Sequence, residues 1–225
     1  MTDKAMTDKN RDYQSLGRQV VSTEIAQVTA LLERINDDFD RACELILSCT
    51  GRVVVTGMGK SGHIGGKIAA TLASTGQPSF FIHPTEAIHG DVGMMVNGDT
   101  CLMISHSGNT SELLSIIPAI KRLGLPIISV TSNANSKLSH YSDVVLNTYV
   151  KEEACPFNLA PTNSTTVTLA IGDAIAISLL KKRGFKAEHF ALRHPGGNLG
   201  RRLLTKVSDI MIKENLPISH YKDSF

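Results

Sequence analysis

The chain has 225 residues, 42% hydrophobic and 20% charged, ordinary values for a folded domain with enough apolar material for a sizeable core. Lys and Arg number 23 against 21 Asp and Glu, a net charge of +2 that leaves no global footprint for nucleic acid. The longest apolar run, 167–180, is too short for a bilayer span and is interrupted by Asp173, which argues against a membrane partner.

Residues 1–14 are polar, repeat MTDK and lack an apolar leader; they predict a disordered tail ahead of a domain over 15–205. Val21, Ile25, Val28, Leu32, Ile35, Phe39, Ala42 and Ile46 then fall at alternating steps of four and three, the stripe of one amphipathic helix. From Arg52 the pattern changes to short β-branched runs at 52–56, 79–82, 100–105, 126–131 and 143–147. Helical stretches at 62–74 and 110–123 and a short turn near 135–140 separate them. The strands read as continuous apolar runs, which suits strands buried on both faces of a parallel sheet. Strand–helix alternation predicts right-handed crossovers and a three-layer α/β/α sandwich around a five-stranded parallel sheet. After the last strand come a polar loop over 151–163 and a helix over 164–182, apolar on nearly all faces and expected to be buried. A glycine-rich segment over 193–200 follows.

In such sheets ligands bind outside the carboxyl ends of the strands, so the residues just after each strand are the ones to read. The first strand runs into Gly57-Met58-Gly59-Lys60-Ser61-Gly62. This has the spacing of a dinucleotide fingerprint, but the second strand ends in Ile82-His83-Pro84 without the acid that would hold a ribose. A nucleotide P-loop fails too, because its first glycine would fall at Val54. What remains is a turn that lets an anion approach backbone N–H groups, with Lys60 adding charge; a solvated surface lysine is the plainer alternative.

The third strand runs into Ser105-His106-Ser107-Gly108-Asn109-Thr110-Ser111-Glu112, whose hydroxyl and amide donors suit one phosphate; simple capping of the next helix explains them equally well. Residues 131–133 and 162–166 repeat the theme, and three such loops at one sheet edge favour an anionic ligand. His89 and His194 stand beside glycine or proline in irregular segments, where functional groups are often positioned. Glu112 and Glu153 are the carboxylate candidates; the helix dipole alone would account for the first and an ordinary surface acid for the second. His83, His89 and Asp91 fit no standard metal-ligand spacing, and no metal is expected. The cysteines Cys43, Cys49, Cys101 and Cys155 form no C-x-x-C pair and read as thiols of a reducing cytosol.

The segments GMGKSGHIGGK, STGQPSFFIHPTEAIHGDVGM, ISHSGNTSELL, EEACPFNLAPTNSTT with GDAIAISLLKKRGF, and HPGGNLGR stand in that order. Together they resemble the D-arabinose 5-phosphate isomerases of the sugar isomerase (SIS) domain class. The resemblance covers most of the chain, 51–211. It implies a flavodoxin-like fold and interconversion of D-ribulose 5-phosphate and D-arabinose 5-phosphate through an enediol, supplying Kdo for lipopolysaccharide or capsule. It implies no cofactor, a cytoplasmic location and a homotetramer with active-site histidines crossing an interface.

The resemblance places functional positions at Lys60, His89, Glu112, Glu153 and His194. By analogy with isomerases that pair a glutamate base with a neutral histidine, Glu153 is expected to be the proton-shuttling base and His194 the electrophile or ring-opening acid or base, with these roles open to exchange. Lys60 stabilises negative charge, and His89 and Glu112 orient hydroxyls. Substrate binding is expected at Gly59, Ser61, Ser105, Ser107, Thr110 and Thr162. The family often reads S-N-S-G-E-S at 105–110, so His106 and Asn109 are departures that bear on substrate choice. Many members continue into paired CBS domains; 207–211 resemble the opening of one, and 206–225 are expected to form a tail. The competing readings are another SIS sugar-phosphate isomerase and a non-catalytic sensor of a sugar phosphate or nucleotide sugar.

Overall fold

The computed structural model describes residues 12–194, 202–203 and 205–213. They divide into two units, the first ending at Gly184 and the second beginning at Phe185.

The first unit is built on strands β1 Val53–Gly57, β2 Ser79–Ile82, β3 Thr100–Ile104, β4 Ile127–Thr131 and β5 Val144–Asn147. All neighbours pair in parallel in the order β2-β1-β3-β4-β5, the flavodoxin-like order. The three central strands are buried throughout, as expected of apolar runs covered on both faces. The edge strands differ from that expectation: β2 is mostly half-buried and β5 alternates, because each lacks a neighbour on one side.

Alternation along the strands sorts the core into two layers. Val53, Val55, Leu102, Ile104, Ile128 and Val130 face one cluster, while Val54, Cys101, Met103 and Ile127 face the other. The first face is covered by α1 Tyr13–Leu31, α2 Asp37–Ser48, α3 Gly59–Ser74 and α7 Asn163–Lys182. The second is covered by α4 Pro84–Ile88, α5 Ser111–Arg122 and α6 Lys137–Tyr141. The three-layer α/β/α sandwich read from the sequence is the observed architecture.

Three helical expectations change. The single stripe over residues 21–46 is two helices, not one. After a 3-10 turn at Leu32–Arg34, Asn36 takes an extended conformation and its side chain accepts a hydrogen bond from the N–H of Asp38 at 3.1 Å. Asp37, Asp38 and Asp40 fill the first turn of α2, where the helix dipole favours them. The tail is shorter than expected, since Tyr13 and Gln14 open α1 under an Asp12 cap on the N–H of Ser15; residues 1–11 lie outside the described ones. Finally, α7 is long and apolar enough by composition to cross a membrane, yet only half of that stretch is buried inside the protein. Val167, Ile171, Ile175 and Leu179 enter the core, while Ile177 is exposed.

The second unit shows α8 Ala187–Arg193 and a short turn, α9 Val207–Ile210. The expected irregular segment begins later than predicted, because residue 193 still belongs to α8; 195–200 and 214–225 lie outside the described residues.

Candidate active site

The strand order reverses direction between β1 and β3, and a cavity of about 320 Å³ opens outside their carboxyl ends, where doubly wound sheets bind ligands. Met58, Lys60 and Ser61 line it from the turn after β1, His106 from the loop after β3, and Glu152 and Glu153 from the segment after β5. Ser164, Thr165 and Thr168 line it from α7.

Each wall has a local cause. Gly59, at φ +53°, is the first residue of α3, which therefore begins three residues before the predicted start. That conformation costs a residue with a Cβ energy and glycine little. Met58 offers no side-chain cap, so the first turn of α3 presents its N–H groups together with Lys60.

The His106 wall is held by its backbone. The His106 carbonyl accepts from the Ser132 N–H at 3.0 Å, the Ser132 hydroxyl at 2.6 Å and the Thr131 hydroxyl at 3.1 Å. Gly108 packs so closely that a Cβ there would lie 2.0 Å from Ser136 Oγ. The loops after β3 and β4 are thus one fastened unit.

The third wall centres on Glu153. Its Oε2 accepts from the Thr162 N–H at 2.8 Å, the Thr162 hydroxyl at 3.1 Å and the Ser164 N–H at 3.1 Å. Its own N–H donates to Asn158 Oδ1 at 2.7 Å, and the Thr162 hydroxyl accepts from the Ala154 N–H at 2.9 Å. Burial acts to raise the Glu153 carboxyl, but hydrogen bonds from Ser164 and Thr162 outweigh it and hold the group below its ordinary value. The stabilisation this gives is fully present above the carboxyl's ordinary pKa. It is lost as pH falls through the lowered one.

The expected site residues therefore separate. Lys60, Ser61 and Glu153 share the cavity, with Gly59 beside them at the start of α3. Ser105 and Thr110 bond each other, hydroxyl to hydroxyl at 2.9 Å, and Ser105 Oγ also accepts the Gly108 N–H at 3.1 Å. Ser107 Oγ accepts the Asn109 N–H at 3.2 Å. These serines hold the loop, and none of the three lines the cavity; the Thr162 hydroxyl is turned to Glu153 instead.

The exposed His89 caps the end of α4 and the half-buried Glu112 stands in the first turn of α5, on helices that cover the other sheet face; neither lines the cavity. The peptide N–H of Glu112 and the Ser111 hydroxyl lower its carboxyl. His194 belongs to the second unit, where its ring stacks on Phe190 at 3.9 Å and its Nδ1 lies 3.0 Å from the Phe190 carbonyl. The polar cavity residues that sequence reasoning did not assign include Lys151, Glu152 and Thr168; Ser164 and Thr165 belong to the 162–166 loop read as suited to an anion, and His106 was noted only as a family departure. Their position just past β3, just past β5 and at the start of a helix was the available signal. Among the described residues no three His, Cys, Asp or Glu come together as a metal site.

Comparison with known proteins places these features in a family. The SIS domain family model matches residues 46–178. The arabinose 5-phosphate isomerase KdsD of Pseudomonas aeruginosa is 57% identical over 210 residues, 93% of this chain and 64% of that protein. KdsD of Yersinia pestis is 55% identical over 200 residues, 89% of this chain and 61% of that protein. The chain thus spans less than two thirds of the length of these curated relatives. A solved structure, E. coli CFT073 c3406 in complex with A5P, superposes with a TM-score of 0.80 at 41% identity, covering 83% of this chain and 99% of that one.

Proposed function

The chain belongs to the SIS domain family, and on that premise we propose that it is an aldose–ketose isomerase interconverting D-ribulose 5-phosphate and D-arabinose 5-phosphate. The observation that carries the reading is one cavity at the β1/β3 switch point that joins Lys60 and His106 on one side to Glu153, whose carboxyl is held below its ordinary value, on the other. The names of the relatives, and the A5P in the c3406 complex, support the same substrate.

Isomerisation moves a proton between C1 and C2. A base must reach that proton, and the developing enediolate oxygen must be neutralised. Glu153 takes the proton and Lys60 faces the oxygen. His194 serves as electrophile or ring-opening acid, and His89 and Glu112 orient hydroxyls. Because His89 and Glu112 do not line the cavity of their own chain, the reading includes a tetramer that delivers side chains between copies. Exposed Leu16, Val21 and Ile25 on α1 offer apolar surface for such a contact. The enzyme works in the cytoplasm without a cofactor, its product feeds Kdo synthesis, and 206–225 are read as a tail whose sequence resembles the start of a CBS domain.

Incubation with D-ribulose 5-phosphate in the presence of EDTA tests this. Arabinose 5-phosphate should form at ordinary enzyme rates, roughly 1–10³ s⁻¹. Thermal stabilisation by sugar phosphates without turnover would point instead to an isomerase of another sugar phosphate or to a sensor.

A further inference from the structure

The carboxylate of Glu153 is hydrogen-bonded asymmetrically. Three donors, the Thr162 N–H, the Thr162 hydroxyl and the Ser164 N–H, converge on Oε2, and the Ser164 hydroxyl also acts to lower the carboxyl. None of the three converging donors reaches Oε1. Thr162 supplies two of the three, and the same hydroxyl accepts the Ala154 N–H at 2.9 Å. That second bond fixes which way the hydroxyl proton points: with a lone pair engaged by Ala154, the O–H is left to donate to Glu153. The carboxylate is thereby anchored through one oxygen at the start of α7, on the wall of the cavity.

We propose that Thr162 is a positioning residue for Glu153, which anchors Oε2 and leaves Oε1 as the oxygen that takes the substrate proton. The proposal rests on the isomerase reading above and deepens it. In the step it describes, Oε1 takes the proton from the carbon beside the carbonyl. The C–H electron pair becomes the C1–C2 double bond of the enediolate, and the carbonyl π pair moves onto oxygen. Return of the proton from Oε1 to the neighbouring carbon, with the hydroxyl proton passing from the oxygen on C1 to the oxygen on C2 so that the carbonyl re-forms at C1, completes the isomerisation with no other reactant. Donors on Oε2 favour the ionised form, so Thr162 also keeps the base unprotonated at lower pH.

The charged and titratable groups around Glu153 bear on that titration. Lys60 on α3, His106 after β3, and Lys151 and Glu152 beside it share its cavity. Cys155 shares a second cavity with it, which α1 lines with the uncharged Leu16, Gln19, Val20 and Thr23. None of these groups changes in the variants below.

The test compares Thr162→Val with Thr162→Ser through the pH dependence of kcat and kcat/KM. It adds direct titration of the Glu153 side-chain carboxyl by carbon NMR in the full chain. Thr162→Val keeps the shape and removes the hydroxyl. It should move the Glu153 titration and the acid limb of the rate profile together to higher pH. It should also lower kcat by up to about 10²-fold through misplacement of the base, with KM nearly unchanged. Thr162→Ser retains the donor and should restore both.

A rise in KM with an unmoved acid limb and an unmoved carboxyl titration would make Thr162 a substrate ligand and overturn the proposal. So would a serine variant as impaired as the valine one. The NMR titration needs no turnover, so an inactive wild-type chain would sink the isomerase reading while the effect of Thr162 on Glu153 is still measured.

Discussion

At the scale of single residues the environment, not the residue type, decides reactivity. The chain has cysteines at 43, 49, 101 and 155, and they differ sharply. Burial, aided by Asp99, pushes the Cys101 thiol up to about 12, and burial with Asp40 and Glu44 raises Cys43 to about 11. Cys155 is lowered instead, by the backbone N–H of Ala160 first and then those of Leu159 and Phe157. Thiolates are the reactive form. Alkylation of the native protein at neutral pH should therefore reach Cys155 before Cys43 and leave Cys101 unmodified until unfolding. Peptide mapping of a time course checks this, and early labelling of Cys101 would contradict it.

The same dependence on surroundings explains what the sequence disclosed at this scale. Lys60 and Glu153 were legible because each lies in the segment that follows a strand of a parallel sheet, after β1 and after β5. Thr162 was not, since a threonine before a helix serves equally as a cap, a phosphate ligand or a partner for a carboxylate. Only the 3.1 Å contact to Glu153 separates these uses. Ser105 and Thr110 were ambiguous for the same reason, and their hydroxyls bond each other at 2.9 Å.

At the scale of elements, periodicity located all five strands and the long helices, and missed what short-range chemistry controls. The stripe over 21–46 kept its step across a break, so only Asn36 and the aspartates after it marked two helices. The short helix α4, capped by the His83 side chain on the N–H of Thr85, is too brief to carry a period. Where the elements meet, packing is tight. A Cβ on Gly172 of α7 would lie 2.4 Å from Ile68 Cγ1 of α3, and both residues are buried. Gly172→Ala should destabilise by about 1–3 kcal/mol, the usual cost of overpacking. Adding Ile68→Val, which removes Cδ1, itself 2.5 Å from that Cβ, should recover part of the loss, because residues in direct contact do not act additively. Urea unfolding of the single and double variants measures the coupling; additive effects would show that the helices have room to move apart.

At the scale of the whole molecule, the strand order β2-β1-β3-β4-β5 puts the ends of β1 and β3 side by side. That adjacency is what brings residues 46 positions apart, Lys60 and His106, to one cavity. The strand–helix alternation made this order readable as a class. It did not reveal that His89 and Glu112 ride on helices of the opposite face, which depends on how each crossover is wound. The tetrameric reading places the missing contacts between copies. Gel filtration should then show a species of four 24.3 kDa chains. Leu16→Glu with Ile25→Glu, which charges exposed apolar positions of α1, should shift it to smaller species and lower activity. A monomer that retained full turnover would remove assembly from the account.

The most direct measurement is proton NMR of D-ribulose 5-phosphate incubated with the chain in heavy water, alongside the Glu153→Gln variant. An enediol isomerase with Glu153 as the base should form arabinose 5-phosphate rather than its C2 epimer, with solvent deuterium entering at C2. The variant should be slower by at least about 10²-fold. Unchanged ribulose 5-phosphate, or a glutamine variant as fast as the parent chain, would contradict the account.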